Sequence, residues 1–122
     1  MKFILQGEYC TLNQYSDAER THYRYGASIK KAETARAVYE LKQQWDGTMP
    51  DVPVEIIISW WRKNRRTDPD NIVFAKKFIL DAMQEVGILE NDGWNQVCGF
   101  TDDWGVDKDN PRVEIELNDF TS

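Results

Sequence analysis

Polar and apolar residues alternate most clearly over residues 54–61. Val54, Ile56, Ile58 and Trp60 take turns with Glu55, Ile57, Ser59 and Trp61. A period of two predicts a strand there, with the first set on the core face. Ile57 and Trp61 in the second set predict that the other face is partly covered as well. Val113, Ile115 and Leu117 alternate with Glu114 and Glu116, which predicts another strand over Arg112–Leu117. A weaker alternation over residues 2–8 puts Phe3 and Leu5 on one face. A fourth strand is expected near Gln96–Phe100.

Elsewhere the apolar spacing changes to three and four. Val38, Leu41 and Trp45 predict a helix from Lys31 to Trp45, followed by a stop at Gly47. Ile72, Ala75, Ile79, Ala82, Met83 and Val86 predict one continuous helix over Pro69–Val86, ended by Gly87. Asp68 suits its N-cap and Pro69 its first position. Thr11–Arg20 reads as a short capped helix. Residues 22–31 are polar, contain Gly26 and read as a mobile loop holding the sole histidine, His22. The order β-α-β-α-β-β predicts a single α+β domain over residues 1–122, with a mixed sheet packed by two main helices.

Composition narrows the class. The chain has 122 residues, 41% of them hydrophobic, enough for one core and too apolar for a disordered chain. Its apolar runs, such as Ile56-Ile57-Ile58, fall far short of the ~20 residues that cross a bilayer. The start lacks the long apolar region of a signal peptide, so a cytoplasmic location and no membrane partner are expected. Cys10 and Cys98 are too few for a zinc framework and are expected as buried small hydrophobes.

Net charge is −6, which alone argues against a polyanion partner. Its distribution changes that reading. Residues 20–66 hold ten Lys or Arg against five acids, and residues 67–122 hold four against thirteen. A basic segment ahead of an acidic one suits polyanion binding beside a carboxylate metal site; an unevenly charged solvated surface gives the same split.

The candidate chemistry lies at the boundary, in Arg62-Lys63-Asn64-Arg65-Arg66-Thr67-Asp68-Pro69-Asp70-Asn71. Mg²⁺ takes oxygen ligands, usually one or two carboxylates completed by water and substrate phosphate. Asp68 and Asp70 at a strand-to-helix corner can meet that demand, while the preceding cations hold backbone phosphates. On a continuous helix, Asp70, Lys77 and Asp81 fall nearly on one face, with Lys76 about 100° away from Lys77. Lys77 could then stabilise charge on a phosphate. Plainer readings account for the same residues. Asp68 could be only a cap, Asp70 and Asn71 could serve the helix dipole, and Lys77 and Asp81 could be a surface pair.

Asp68-Pro69-Asp70-Asn71, Lys77-Phe78-Ile79-Leu80-Asp81-Ala82-Met83, Gly87 and Asn91-Asp92 together resemble the RusA family of Holliday junction resolvases, most closely over residues 62–92. Leu12-Asn13-x-Tyr15 adds a fainter match. The resemblance implies a homodimeric, Mg²⁺-dependent endodeoxyribonuclease, with Mn²⁺ as a substitute ion, that nicks four-way or branched DNA in recombination and repair. Such enzymes are often of phage or prophage origin. It implies Asp68, Asp70 and Asp92 as the essential metal-holding acids and Lys77 as the active lysine. The stretch from Asn71 to Asp81 is about three residues longer than in well-known members, which leaves Lys76 as an alternative. The acidic pI, about 4.7, is a second departure.

Arg62, Lys63, Arg65 and Arg66 are expected to hold DNA; Arg20 and Arg24, with Lys30 and Lys31, read equally as an outlying phosphate-binding arm or as an ordinary solvated surface. Trp94 would either pack in a core or dimer interface or stack on an unpaired base. Asp102 and Asp103 could support the metal-holding acids from behind, but an exposed turn is the simpler expectation. Two other readings stand beside the enzyme: a non-catalytic branched-DNA binding module, and a protein with no nucleic-acid role.

Overall fold

The computed structural model describes residues 1–119. Its elements are β1 (Lys2–Gln6), α1 (Leu12–Thr21), α2 (Tyr23–Gln44), β2 (Val54–Arg62), α3 (Pro69–Ile72), a 3-10 turn (Val73–Ala75), α4 (Lys76–Val86), β3 (Val97–Val106) and β4 (Arg112–Asp119). The strands form one mixed sheet in the order β1-β4-β2-β3, with β2 and β3 parallel and the other neighbours antiparallel. This is the α+β class that the alternation predicts, with α2 and α4 as the two main helices and the short α1 packed beside α2.

The core follows the period-two positions. Val54, Ile56, Ile58 and Trp60 are buried on β2, Val113, Ile115 and Leu117 on β4, and Phe3 and Leu5 on β1. Val38 and Leu41 of α2 close over them with Phe78, Ile79 and Met83 of α4. The outer edge of β1 would leave backbone groups open to any passing strand. Side chains of α2 occupy them instead. Gln44 accepts from the Ile4 amide at 2.8 Å and donates to its carbonyl at 2.7 Å, and Glu40 accepts from the Gln6 amide. Gly87 ends α4 at φ 100°, a left-handed conformation that favours glycine, as expected of the stop.

Several expectations need correction. Residues 22–31 are not a loop: they are the first turns of α2, and His22 is the single residue joining it to α1. This part of α2 buries only Gly26, so it shows no apolar stripe. Gly26 is instead a close approach, since a Cβ there would lie 2.5 Å from Glu19 Cγ. The helix expected over 69–86 is broken by the 3-10 turn. Three residues per turn rather than 3.6 advances the phase by about 60° over that turn. Asp70 and the pair Lys77 and Asp81 therefore belong to two separate helical segments. The turn falls within the long stretch between Asn71 and Asp81, and its Phe74 packs on Tyr15 of α1 at 5.1 Å and edge-on to Phe78 at 5.5 Å.

β3 runs six residues beyond Phe100, so Asp102 and Asp103 lie in a strand and not in a turn. β3 is an edge strand with little burial, and its polar run conceals the alternation. Cys98 is exposed and Cys10 only half-buried, contrary to the expected burial. Trp94 is 96% exposed, which removes it from the core. Among the described residues no helix is long and apolar enough to cross a membrane.

Candidate nuclease site

The site is laid out along β3. Phe100, Asp102 and Trp104 are opposite Ile56, Ile58 and Trp60 in the parallel register, so they continue the core face of the sheet past the cover of the helices. Four residues of strand span about 13 Å. At one end, Trp104 joins Arg62, Arg65 and Asp68 around a hollow of about 280 Å³. At the other end, Phe100 joins Asp92, Trp94 and Cys98 around a hollow of about 470 Å³. Asp102 lies between them.

Asp68 stands at the N-cap position of α3, yet its carboxylate makes no capping hydrogen bond among the described residues. Its carbonyl, not its side chain, accepts from the amides of Asn71 and Ile72. The plain capping reading therefore does not account for the carboxylate, which is exposed beside Arg65. Asp70, also exposed, accepts from the Asn71 amide at 3.0 Å through one oxygen. The Asn71 Oδ1 is buried with no partner among the described residues.

The two adjacent lysines separate. Lys76 Nζ donates to Asp102 Oδ2 at 2.6 Å, with both side chains less than one-fifth exposed, and lies 4.5 Å from the centre of the Phe100 ring. The other Asp102 oxygen accepts from Trp60 Nε1 at 2.9 Å. Lys77 is 58% exposed and stands 3.5 Å from Asp81 and 3.7 Å from Asp92. The surface pair expected between Lys77 and Asp81 is present, and Asp92 joins it.

The expected cations differ in freedom. Arg62 is only 12% exposed and pairs with Glu8 at 3.5 Å, while Glu8 also accepts from the Lys63 amide at 2.8 Å. Lys63, Arg65 and Arg66 project into solvent. Arg20 pairs with Asp17 at 3.3 Å on an exposed face. Arg24 donates to the Tyr23 hydroxyl at 3.1 Å. The strand end beside Arg62 is braced by Arg112, which bonds Asp107 and Glu114 at 2.7 Å each and lies over Trp61. Burial raises the Glu114 carboxyl, but the hydrogen bonds from Arg112 and Lys2 outweigh it and hold the group below its ordinary range.

The structure thus brings Lys77 to Asp92, and sets Asp68 and Arg65 around one hollow without an ion pair between them. Among the described residues it does not gather three acids, cysteines or histidines into a ready metal cluster. Neither the Trp60–Asp102–Lys76 chain nor the Glu8 brace is legible in the sequence. The first depends on strand register and the second on a contact across 54 residues, and neither leaves a local pattern.

Exposed acids at the head of a helix beside solvent-facing arginines, with a lysine shared by two further acids, fit the class of small phosphodiester-cutting nucleases on an α+β domain. The family model for endodeoxyribonuclease RusA matches residues 11–118, nearly the whole chain, and the chain belongs to that family. Members are endodeoxyribonucleases that resolve Holliday junctions, act on branched DNA and depend in general on a divalent metal. No curated protein matches the chain.

Proposed function

We propose that this chain nicks four-way or related branched DNA with Mg²⁺, or Mn²⁺ in its place, in recombination and repair. The observation that carries the reading is the uncommitted carboxylate of Asp68. It heads α3 next to Asp70 without serving as the cap that its position invites. The donor set suits a hard cation: both side chains are exposed carboxylates, and Mg²⁺ takes one or two of these with water and substrate phosphate completing the shell. A site filled in this way needs no preformed cluster of three acids. Asp68 and Asp70 would hold the ion, while Asp92, in the hollow at the other end of the β3 row, positions Lys77. When bound, the ion neutralises charge on the phosphate and acidifies water.

The rest falls to the chain's own groups. Lys77 places its ammonium on the phosphate as negative charge builds there, leaving Asp81 and Asp92 for that stronger partner. Arg65, Arg66 and Lys63 hold backbone phosphates without reading bases. Arg62, braced by Glu8, keeps the strand end that presents them in place. Arg20 and Arg24 extend the track along the α1–α2 arm. A two-fold dimer would offer two sites to the paired scissile bonds of a four-way junction. The setting is cytoplasmic DNA, and the gene is of phage or prophage origin.

The test is cleavage of a synthetic four-way junction and a linear duplex of matched sequence, with and without Mg²⁺. Paired nicks on the junction that require the metal are expected. Equal cutting of the duplex, or no cutting of the junction in Mg²⁺ or Mn²⁺, contradicts the proposal.

A further inference from the structure

The corner between α1 and α2 carries an aromatic and cationic cluster of which the fold uses His22, the N-cap of α2. Tyr23 is 70% exposed and Tyr25 51% exposed. The His22 ring stacks on Tyr23 at 4.8 Å and lies 5.5 Å from Tyr25. Its Nδ1 accepts from the Arg24 amide at 3.1 Å, which fixes the imidazole at the start of α2. The Arg24 guanidinium sits 5.6 Å from the centre of the Tyr23 ring. Arg20 projects from the last turn of α1. Two exposed tyrosines gathered around His22, with two arginines beside them, form a solvent-facing surface of aromatic and cationic groups.

The corner is anchored to the nuclease site by two routes. Tyr15 of α1 packs on Phe74 and Phe78, which flank the start of α4, and Gly26 lies against Tyr15 and Glu19. Lys30 of α2 reaches Asp81 at 4.0 Å, and Asp81 pairs with Lys77. Tyr23 and Tyr25 lie five to seven residues before Lys30, about 8–10 Å further along the helix axis.

We infer that this corner is a stacking platform for the exposed base faces at a DNA branch point. The inference rests on the branched-DNA reading above and adds how the branch is distinguished from plain duplex. The chemistry points to nucleic acid because the ring faces and the guanidinium groups coincide. Every nucleobase offers a face to an aromatic ring, and the adjoining phosphates meet Arg20 and Arg24. A continuous duplex hides its base faces within the stack; a branch point exposes them. The platform therefore contributes to junction binding and not to duplex binding. Arg65 and Arg66 act on both.

Fluorescence anisotropy without divalent metal tests this on a labelled four-way junction and a matched linear duplex. Wild-type protein should prefer the junction. Replacing both Tyr23→Leu and Tyr25→Leu should weaken junction binding about tenfold to a hundredfold and leave duplex binding unchanged. Tyr23→Phe with Tyr25→Phe should keep the wild-type preference, since the rings remain. Equal losses on both DNAs, or an unchanged junction preference in the leucine variant, overturns the inference alone. Wild-type protein with no junction preference overturns the inference and the branched-DNA reading together. A second measurement avoids any folding defect: 5-bromouracil at the branch point of the junction, irradiated with wild-type protein, should crosslink to Tyr23 or Tyr25. Crosslinks confined to other residues contradict the platform.

Discussion

Lys76 and Lys77 are neighbours in sequence and opposites in structure. Lys76 enters a closed assembly: its ammonium meets Asp102, Asp102 meets the Trp60 indole, and both ionic groups are more than four-fifths buried. Lys77 enters an open one, shared between Asp81 and Asp92, with most of its side chain in water. The chemical group is the same, and burial decides its use. A buried ammonium with one short carboxylate bond cannot leave without stranding that carboxylate. An exposed ammonium shared between two longer contacts can exchange them for a phosphate at small cost. The difference favours Lys77 as the working lysine and makes Lys76 a fastener between α4 and β3.

Breaking each assembly tests the contrast. Asp102→Ala should cost about 3 kcal/mol of stability, because Lys76 keeps its charge in a partly buried place and Trp60 loses its acceptor. Asp81→Ala, which removes the i,i+4 pair with Lys77 and the longer contact with Lys30, should cost no more than about 1 kcal/mol. Urea denaturation of the two variants measures both values. Equal costs would erase the distinction between closed and open networks. Lys77→Met should lower junction cleavage about a hundredfold, with its urea midpoint close to that of wild type. Lys76→Met should do the reverse, shifting the midpoint and leaving the cleavage rate of the folded fraction near normal. A single-turnover rate measured beside each midpoint separates the two.

Much of the fold can be read from alternation alone, because β2 and β4 sit in the middle of the sheet and one face of each must be apolar. The readable pattern ends where cover ends. The first turns of α2 extend past the sheet with only Gly26 buried, so a helix there looks like a polar loop. β3 is an edge strand, and Asp102 occupies an inward position that an apolar residue would otherwise mark. The break at Val73–Ala75 is hidden for another reason. Ile72, Ala75 and Ile79 keep a spacing that suits an unbroken helix, and only the packing of Phe74 on Tyr15 shows where the turn tightens. The acids of the site are legible as a motif, since Asp68, Asp70 and Asp92 stand in an ordered series with Lys77. Their spatial relation is not. Asp68 and Asp92 line separate hollows at the two ends of a row on β3, and no spacing in the sequence conveys that.

The central claim is that the carboxylates at the head of α3 serve the chemistry and not the fold. The most direct measurement is single-turnover cleavage of a four-way junction by Asp70→Asn, with junction affinity measured on the same preparation. The account predicts a rate lower by about a thousandfold, with affinity unchanged or tighter and the unfolding midpoint preserved. Cleavage at the wild-type rate by this variant would contradict it.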